Sequence, residues 1–237
     1  MQASVGSHFA GYLQKVLLFG VLIALALVIT GRLLVPATSF ISLAAASASL
    51  MLYGGMAAWG PARLHRRHPA ILRAAIPFGL LAGAVFAGEI ILEYVLLPSN
   101  NSRFGQVEFG MVFGLYFASA LVAAVRTCSV KNGVLTSAAS AFIASLIWVI
   151  TVLTVFYVFR GSTQQALVLR AEGDYEDFTR SGMTDFNAFI MEDFMGATFF
   201  HLLLGPLAAA GLGVGGGLLG QGIARFQKKG AAQPPKN

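Results

Sequence analysis

The sequence predicts an all-α fold, a polytopic membrane bundle of about six transmembrane helices, and three observations carry that prediction. Of 237 residues, 57% are hydrophobic and only 11% are charged, with mean hydropathy +0.74. Soluble domains carry roughly 25% charged residues. The apolar residues also fall in six blocks, each near the ~20 residues a helix needs to cross hydrocarbon. Finally, Lys and Arg gather in alternate connections between the blocks, as the positive-inside rule requires of a multi-pass chain.

Span one runs from Val16 to Val35, with Pro36-Ala37 as a tight turn. Its apolar run exceeds the ~7–15 residues of a signal sequence, and Arg32 precedes the only cleavage-like pattern, so it reads as a true span. Span two, Thr38 to Gly60, is rich in Ala, Ser and Gly and is expected to stop at Gly60-Pro61. A basic loop from Ala62 to Arg73 leads to span three, Ala74 to Leu97, which closes at Pro98. The loop Ser99 to Glu108 is polar. Span four covers Phe109 to Val125, span five Val134 to Phe159, and span six Met195 to Gly222. These spans make one domain, residues 1–224, with an external segment at 160–193 and a basic, disordered tail at 225–237.

Six spans place both termini on one side. That side receives eleven of the sixteen Lys and Arg, the other side five. Eight of the ten acids, Glu108 among them, fall on the poorer side, and the remaining two sit in the membrane. Both termini are therefore expected in the cytoplasm. The high Ala and Gly content and the compact loops suggest a bacterial inner membrane.

The net charge of +6 does not imply nucleic acid, because the cations are scattered over short connections. The single cysteine, Cys128, excludes an internal disulfide and any CxxC motif. His65-x-x-His68 lies among arginines with no acid or cysteine nearby and reads as a lipid-facing basic loop. No HExxH, GxSxG or P-loop pattern occurs. No enzyme, metal or cofactor is therefore expected.

Lipid gives helices little hydrophobic reason to associate, so close approach through small residues matters more. Gly79 and Gly83 in span three, Gly110 and Gly114 in span four, and Gly211, Gly215, Gly216 and Gly220 in span six are the expected packing positions. Pro206 is expected to kink span six or end a half-helix. In the external segment, Ser162-x-x-Gln165 has the spacing of a capping box, so a short helix is expected from there. Gly173 and Gly182 interrupt that helix, and a new one starts near Thr184. Glu172, Asp174, Glu176 and Asp177 lack EF-hand spacing and read as a solvated acidic face.

The candidate polar site is intramembrane. Glu89 lies eight residues before Leu97, roughly 12 Å below the outer end at 1.5 Å per residue. His201, seven residues after Phe194 on the inward-running span six, lies roughly 10 Å deep. Equal depth predicts that Glu89 faces His201, with the shallower Glu93 paired to Arg32. Such a pair either relays a proton or binds a cation, or is a polar tie that fixes helix register. The leading functional expectation is a non-enzymatic accessory or structural subunit of a membrane assembly. Its partners would be the bilayer and other membrane subunits or copies of itself, with no nucleic acid. The alternative is a small proton- or cation-coupled transporter that uses the Glu/His site.

Overall fold

The computed structural model describes residues 2–96 and 102–231. Among them there is no strand, and eight helices occur in order: α1 (Gln2–Leu34), α2 (Phe40–Arg67), α3 (Pro69–Leu96), α4 (Ser102–Thr127), α5 (Val130–Val158), α6 (Thr163–Glu172), α7 (Asp174–Ser181) and α8 (Phe186–Ala231). Six of them, all but α6 and α7, are long and apolar enough to cross a membrane. The chain is a multi-pass membrane helical protein. The expected closure at Pro98 lies outside the described residues.

Helix α5 is the central post, packed against α3, α4, α8 and α1. It can take that place because its buried stripe alternates small hydroxyl residues with aliphatic ones: Thr136, Ser137, Ser140, Ser145, Val149, Leu153. The Ser137 hydroxyl lies 2.7 Å from the Ala209 carbonyl on α8 and 3.0 Å from the Tyr116 carbonyl on α4, sharing one proton between them. Ser140 likewise faces its own-helix carbonyl at Thr136 and the Ala75 carbonyl on α3, 3.2 Å away. Such interhelical bonds are worth ~0.6 to 2 kcal/mol each in a membrane.

Glycine sets the spacing between α4, α5 and α8. A Cβ at Gly216 would lie 2.5 Å from the Phe117 carbonyl oxygen, and one at Gly220 2.6 Å from that of Leu121. Gly133 on α5 faces Gly217 on α8, and Gly213 lies against Val134. On α3, Gly79 meets the Ser140 backbone and Gly83 meets Ile147. Other expected packing positions behave differently. Gly110, Gly114 and Gly211 have nothing within 4 Å of a Cβ and lie on exposed faces, while Gly215 makes only ordinary contact with Phe117. The four-residue spacing is shared by all these glycines; the helix face they occupy is what differs.

Several boundaries move. Pro61 does not end α2, which continues to Arg67 with Pro61 buried inside it. The basic loop is thus two helix ends meeting at His68, and α3 begins at Pro69. Proline at the first helical position costs nothing, since that N–H has no intrahelical partner. Pro206 does not divide α8, which is one helix of 46 residues. It also runs past the expected end, so 225–231 are helical rather than disordered; 232–237 lie outside the described residues. Most consequential, α4 begins at Ser102, so Glu108 is intrahelical and buried rather than in an outer loop.

The segment between α5 and α8 folds onto one end of the bundle. Ser162 accepts from the Gln165 N–H at 3.1 Å, and the Gln165 side chain accepts from the Gly161 N–H at 2.8 Å. Gly173 and Gly182 then turn the chain with φ of +90° and +73°, a left-handed conformation glycine adopts without strain. Tyr175 stacks on Phe186 at 4.6 Å, and Phe178 packs against Phe186 and Phe189, which fastens α7 to the start of α8. Asp185 caps α8 by accepting from the N–H groups of Asn187 and Ala188. Glu192 ties that start to the α1–α2 turn by accepting from the Ser39 N–H at 2.8 Å.

Candidate functional site

At the end of the bundle covered by α6, the helices α3, α4, α5 and α8 separate around a cavity of 250 Å³. Its titratable lining is Glu89 and Glu93 from α3, Glu108 from α4, Glu172 from α6, and Asp193 and His201 from α8. Glu89 and His201 therefore share one chamber, as their equal depth predicts. The rest of the wall is largely aromatic: Phe86, Tyr94, Phe109, Trp148 and Phe194. No Lys or Arg lines it among the described residues.

Each group is placed by its helix. Glu89 and Glu93 are one turn apart, so they stack on the same face of α3. Helix α3 buries that face through Ala82, Phe86 and Ile90. Glu89 and Glu93 both line the chamber, as does Glu172 from α6. His201 forms the floor. Its ring stacks on Trp148 with centroids 3.7 Å apart and planes at 10°, and meets Phe86 edge-on at 5.8 Å. A stack of this kind is worth ~0.5–1.5 kcal/mol beyond buried area and holds both rings in place.

Glu108 is only 5% exposed, and its Oε1 has no hydrogen-bond partner among the described residues. A buried, unsatisfied carboxylate oxygen costs more than ~1–3 kcal/mol unless something donates to it. The residue is also one of those that line the chamber.

The pairing of Glu93 with Arg32 does not form. Helix α1 packs chiefly on α2 and α5 rather than α3. The Arg32 guanidinium donates to the Pro36 carbonyl in the α1–α2 turn. Arg180 and Asp177 form the only ion pair among the described residues. Depth along the membrane is readable from residue count, but azimuth is not, and α5 sits where the pairing would need open space.

The acidic group on α6 and α7 also divides. Glu172, Glu176 and Asp177 are all exposed, as a solvated face requires, while Asp174 is half-buried and Glu172 also reaches the chamber lining. Glu172 overhangs the chamber. Protein and carboxylates crowd its inner side, while its outer side meets solvent. That crowding pushes its pKa up to about 8, through burial first and then the charges of Glu93 and Asp174. Asp174 is raised to about 6, by burial and then by Asp193 and Asp177.

No family model, curated protein or solved structure matches this chain. The chamber's own residues therefore carry the functional reading. Its chemistry is one-sided: five carboxyl groups and an imidazole, all of them proton acceptors when deprotonated. Among the described residues, no three His, Cys, Asp or Glu side chains converge as ligands of one metal ion. The carboxyls line different walls instead of meeting at a point. Sequence reasoning missed Glu108, Glu172 and Asp193. A signal existed for Glu108 alone, since residues 102–108 continue the helical run of α4 without a proline or glycine pair to stop it.

Proposed function

We propose that this chain is a cation-handling membrane protein, a small proton- or cation-coupled transporter whose site is the acidic chamber. The observation that supports this best is the convergence of Glu89, Glu93, Glu108, Glu172 and Asp193 on one 250 Å³ cavity with no Lys or Arg in its described lining. Ionisable groups at membrane depth are expensive and mark ion or proton pathways. Five carboxyls without a counter-charge favour taking up protons or another cation, and His201 on the floor is an acceptor placed deepest. In this reading both termini lie in the cytoplasm, which the eleven-to-five division of Lys and Arg supports. The chamber then opens outward. No catalytic role is assigned, since no nucleophile accompanies the acids.

The test is proton flux into proteoliposomes, followed with an entrapped pH dye. Flux should fall at least tenfold in Glu89→Gln and Glu108→Gln and persist in Glu176→Gln. Equal flux in all three variants removes the chamber from the mechanism.

A second reading is the accessory subunit of a membrane assembly. It draws on the exposed edge of α4, where Gly110 and Gly114 have open space beside them and Met111 and Phe113 are exposed. Cross-linking from this edge that returns only lipid would count against it.

A further inference from the structure

Resting on the cation-handling reading, we infer that the chamber takes a small organic cation bearing N–H donors, an alkylammonium, in preference to a metal ion or a quaternary ammonium. Three features of the lining separate these classes.

The first is the spread of the carboxyls. A bare metal ion needs its oxygen ligands gathered around one point at 2.0–2.6 Å. The carboxyls here come from three helix walls and an overhanging fourth, and no three of the chamber's ligating groups converge on one centre. An ammonium needs less convergence, because one or two carboxyl oxygens at ~2.8 Å hold it and water can take its remaining N–H bonds.

The second is the aromatic share of the wall. Rings from α3, α4, α5 and α8 alternate with the acids: Phe86 and Tyr94, Phe109, Trp148, Phe194. A hydrated inorganic ion gains little from such surface. An organic cation uses it twice, burying its carbon chain against the rings and setting its charge near their faces. The cavity of 250 Å³ is also below the ~300–1,000 Å³ typical of drug-sized ligands, which limits the chain to a few carbons.

The third is Glu108. Its Oε1 is buried and unpartnered among the described residues, and the residue lines the cavity. It needs a donor. A quaternary ammonium has none to give and would leave this oxygen unsatisfied, whereas a primary ammonium has N–H bonds to donate to the Glu108 carboxylate and to water.

The chain offers a local reporter. It has two tryptophans, and Trp59 is exposed on α2, so Trp59→Phe leaves Trp148 in the chamber wall as the sole indole. In lipid nanodiscs, Trp148 emission is followed while n-butylammonium, tetramethylammonium, sodium and manganese are titrated at several pH values. The expected result is a saturable change with n-butylammonium and at least tenfold weaker apparent affinity for the other three. Glu108→Gln should weaken n-butylammonium at least tenfold, the loss expected for one charge-assisted hydrogen bond. Glu108→Asp, which keeps the carboxylate, should restore part of it, with gel-filtration elution confirming that each variant is folded. Tetramethylammonium binding as tightly as n-butylammonium, or indifference to Glu108→Gln, overturns the donor-based selection. A response to sodium or manganese alone overturns the organic class and leaves the cation reading standing. A response to pH alone also overturns it and leaves a proton site. Silence toward every probe and every pH from a folded protein overturns both.

Discussion

The two halves of α8 show what residue size does inside a membrane. From Gly213 to Gly220 the helix is nearly bare, and it lies against α4 and α5 backbone to backbone. From Asp193 to His201 it carries an acid, aromatic rings and an imidazole, and the same three helices stand apart around a cavity. Helix α4 mirrors this, with Phe117 to Leu121 in the tight seam and Glu108 and Phe109 in the chamber wall. Neither half has a hydrophobic force pulling helices together, because lipid solvates apolar surface as well as protein does. Spacing is set by what side chains permit: glycine and serine allow contact, and bulky residues impose a gap. The seam holds the helices at one end so that the other end can stay open.

The comparison breaks most easily at the seam. Gly216→Val places a branched side chain where a Cβ already meets the Phe117 carbonyl oxygen at 2.5 Å, and backbone cannot yield there. Overpacking costs ~1–3 kcal/mol and occasionally more. Thermal unfolding in detergent, read by gel filtration, should shift down strongly. Gly110→Val and Gly114→Val, on the open edge of α4, should stay within ~0.5 kcal/mol of the parent. Equal damage from all three would mean the seam is not where the helices meet.

The chamber floor comes next. His201→Ala removes the ring stacked on Trp148 and should cost ~0.5–1.5 kcal/mol beyond the area term. Trp148 emission should shift to the red as water reaches the indole. An unchanged spectrum would contradict the stack. Ser137→Ala should cost ~0.6–2 kcal/mol in all, because it removes one shared proton between α4 and α8 while leaving the glycine contacts. Its effect should fall on stability and spare flux, in contrast to Glu108→Gln.

The smallest effect is a slope with pH. Glu172 has a folded-state pKa of about 8 against an ordinary 4.5, so the folded protein holds more protons than the unfolded chain between those values. Stability from this group is fully present below 4.5 and is lost as pH rises through about 8. Asp174 adds to the same trend, from 3.8 to about 6. The outer exposure of Glu172 makes the effect modest. The melting temperature should decline with pH across that window, and Glu172→Gln should flatten the decline. A rise with pH that this variant leaves unaltered would contradict the assignment.

Much of the layout is legible in the sequence for a simple reason: a membrane span must satisfy its backbone within itself, so length and hydropathy identify it. The misjudged boundaries share a cause. Pro61 and Pro206 read as helix breakers, yet tertiary packing carries the helix through each of them. The depth of Glu89 and His201 also comes from counting residues. Their neighbours do not, because azimuth depends on which face each helix buries, and the low amphipathicity of these helices conceals it. Arg32 is matched to the wrong partner for that reason, and Gly110 is expected in a seam it does not reach. Glu108 escapes notice because an acid near a helix end resembles a loop residue until the start of the helix is known.

The central claim is that an acidic chamber opens to water on the face opposite the termini. Its most direct test uses the single native cysteine. With Cys128→Ser as background, Glu172→Cys marks the chamber mouth and Arg66→Cys marks the α2–α3 junction. A membrane-impermeant maleimide applied to intact cells should label Glu172→Cys and should reach Arg66→Cys only after the membrane is opened. Labelling of Arg66→Cys in intact cells, with Glu172→Cys protected until lysis, would contradict the account.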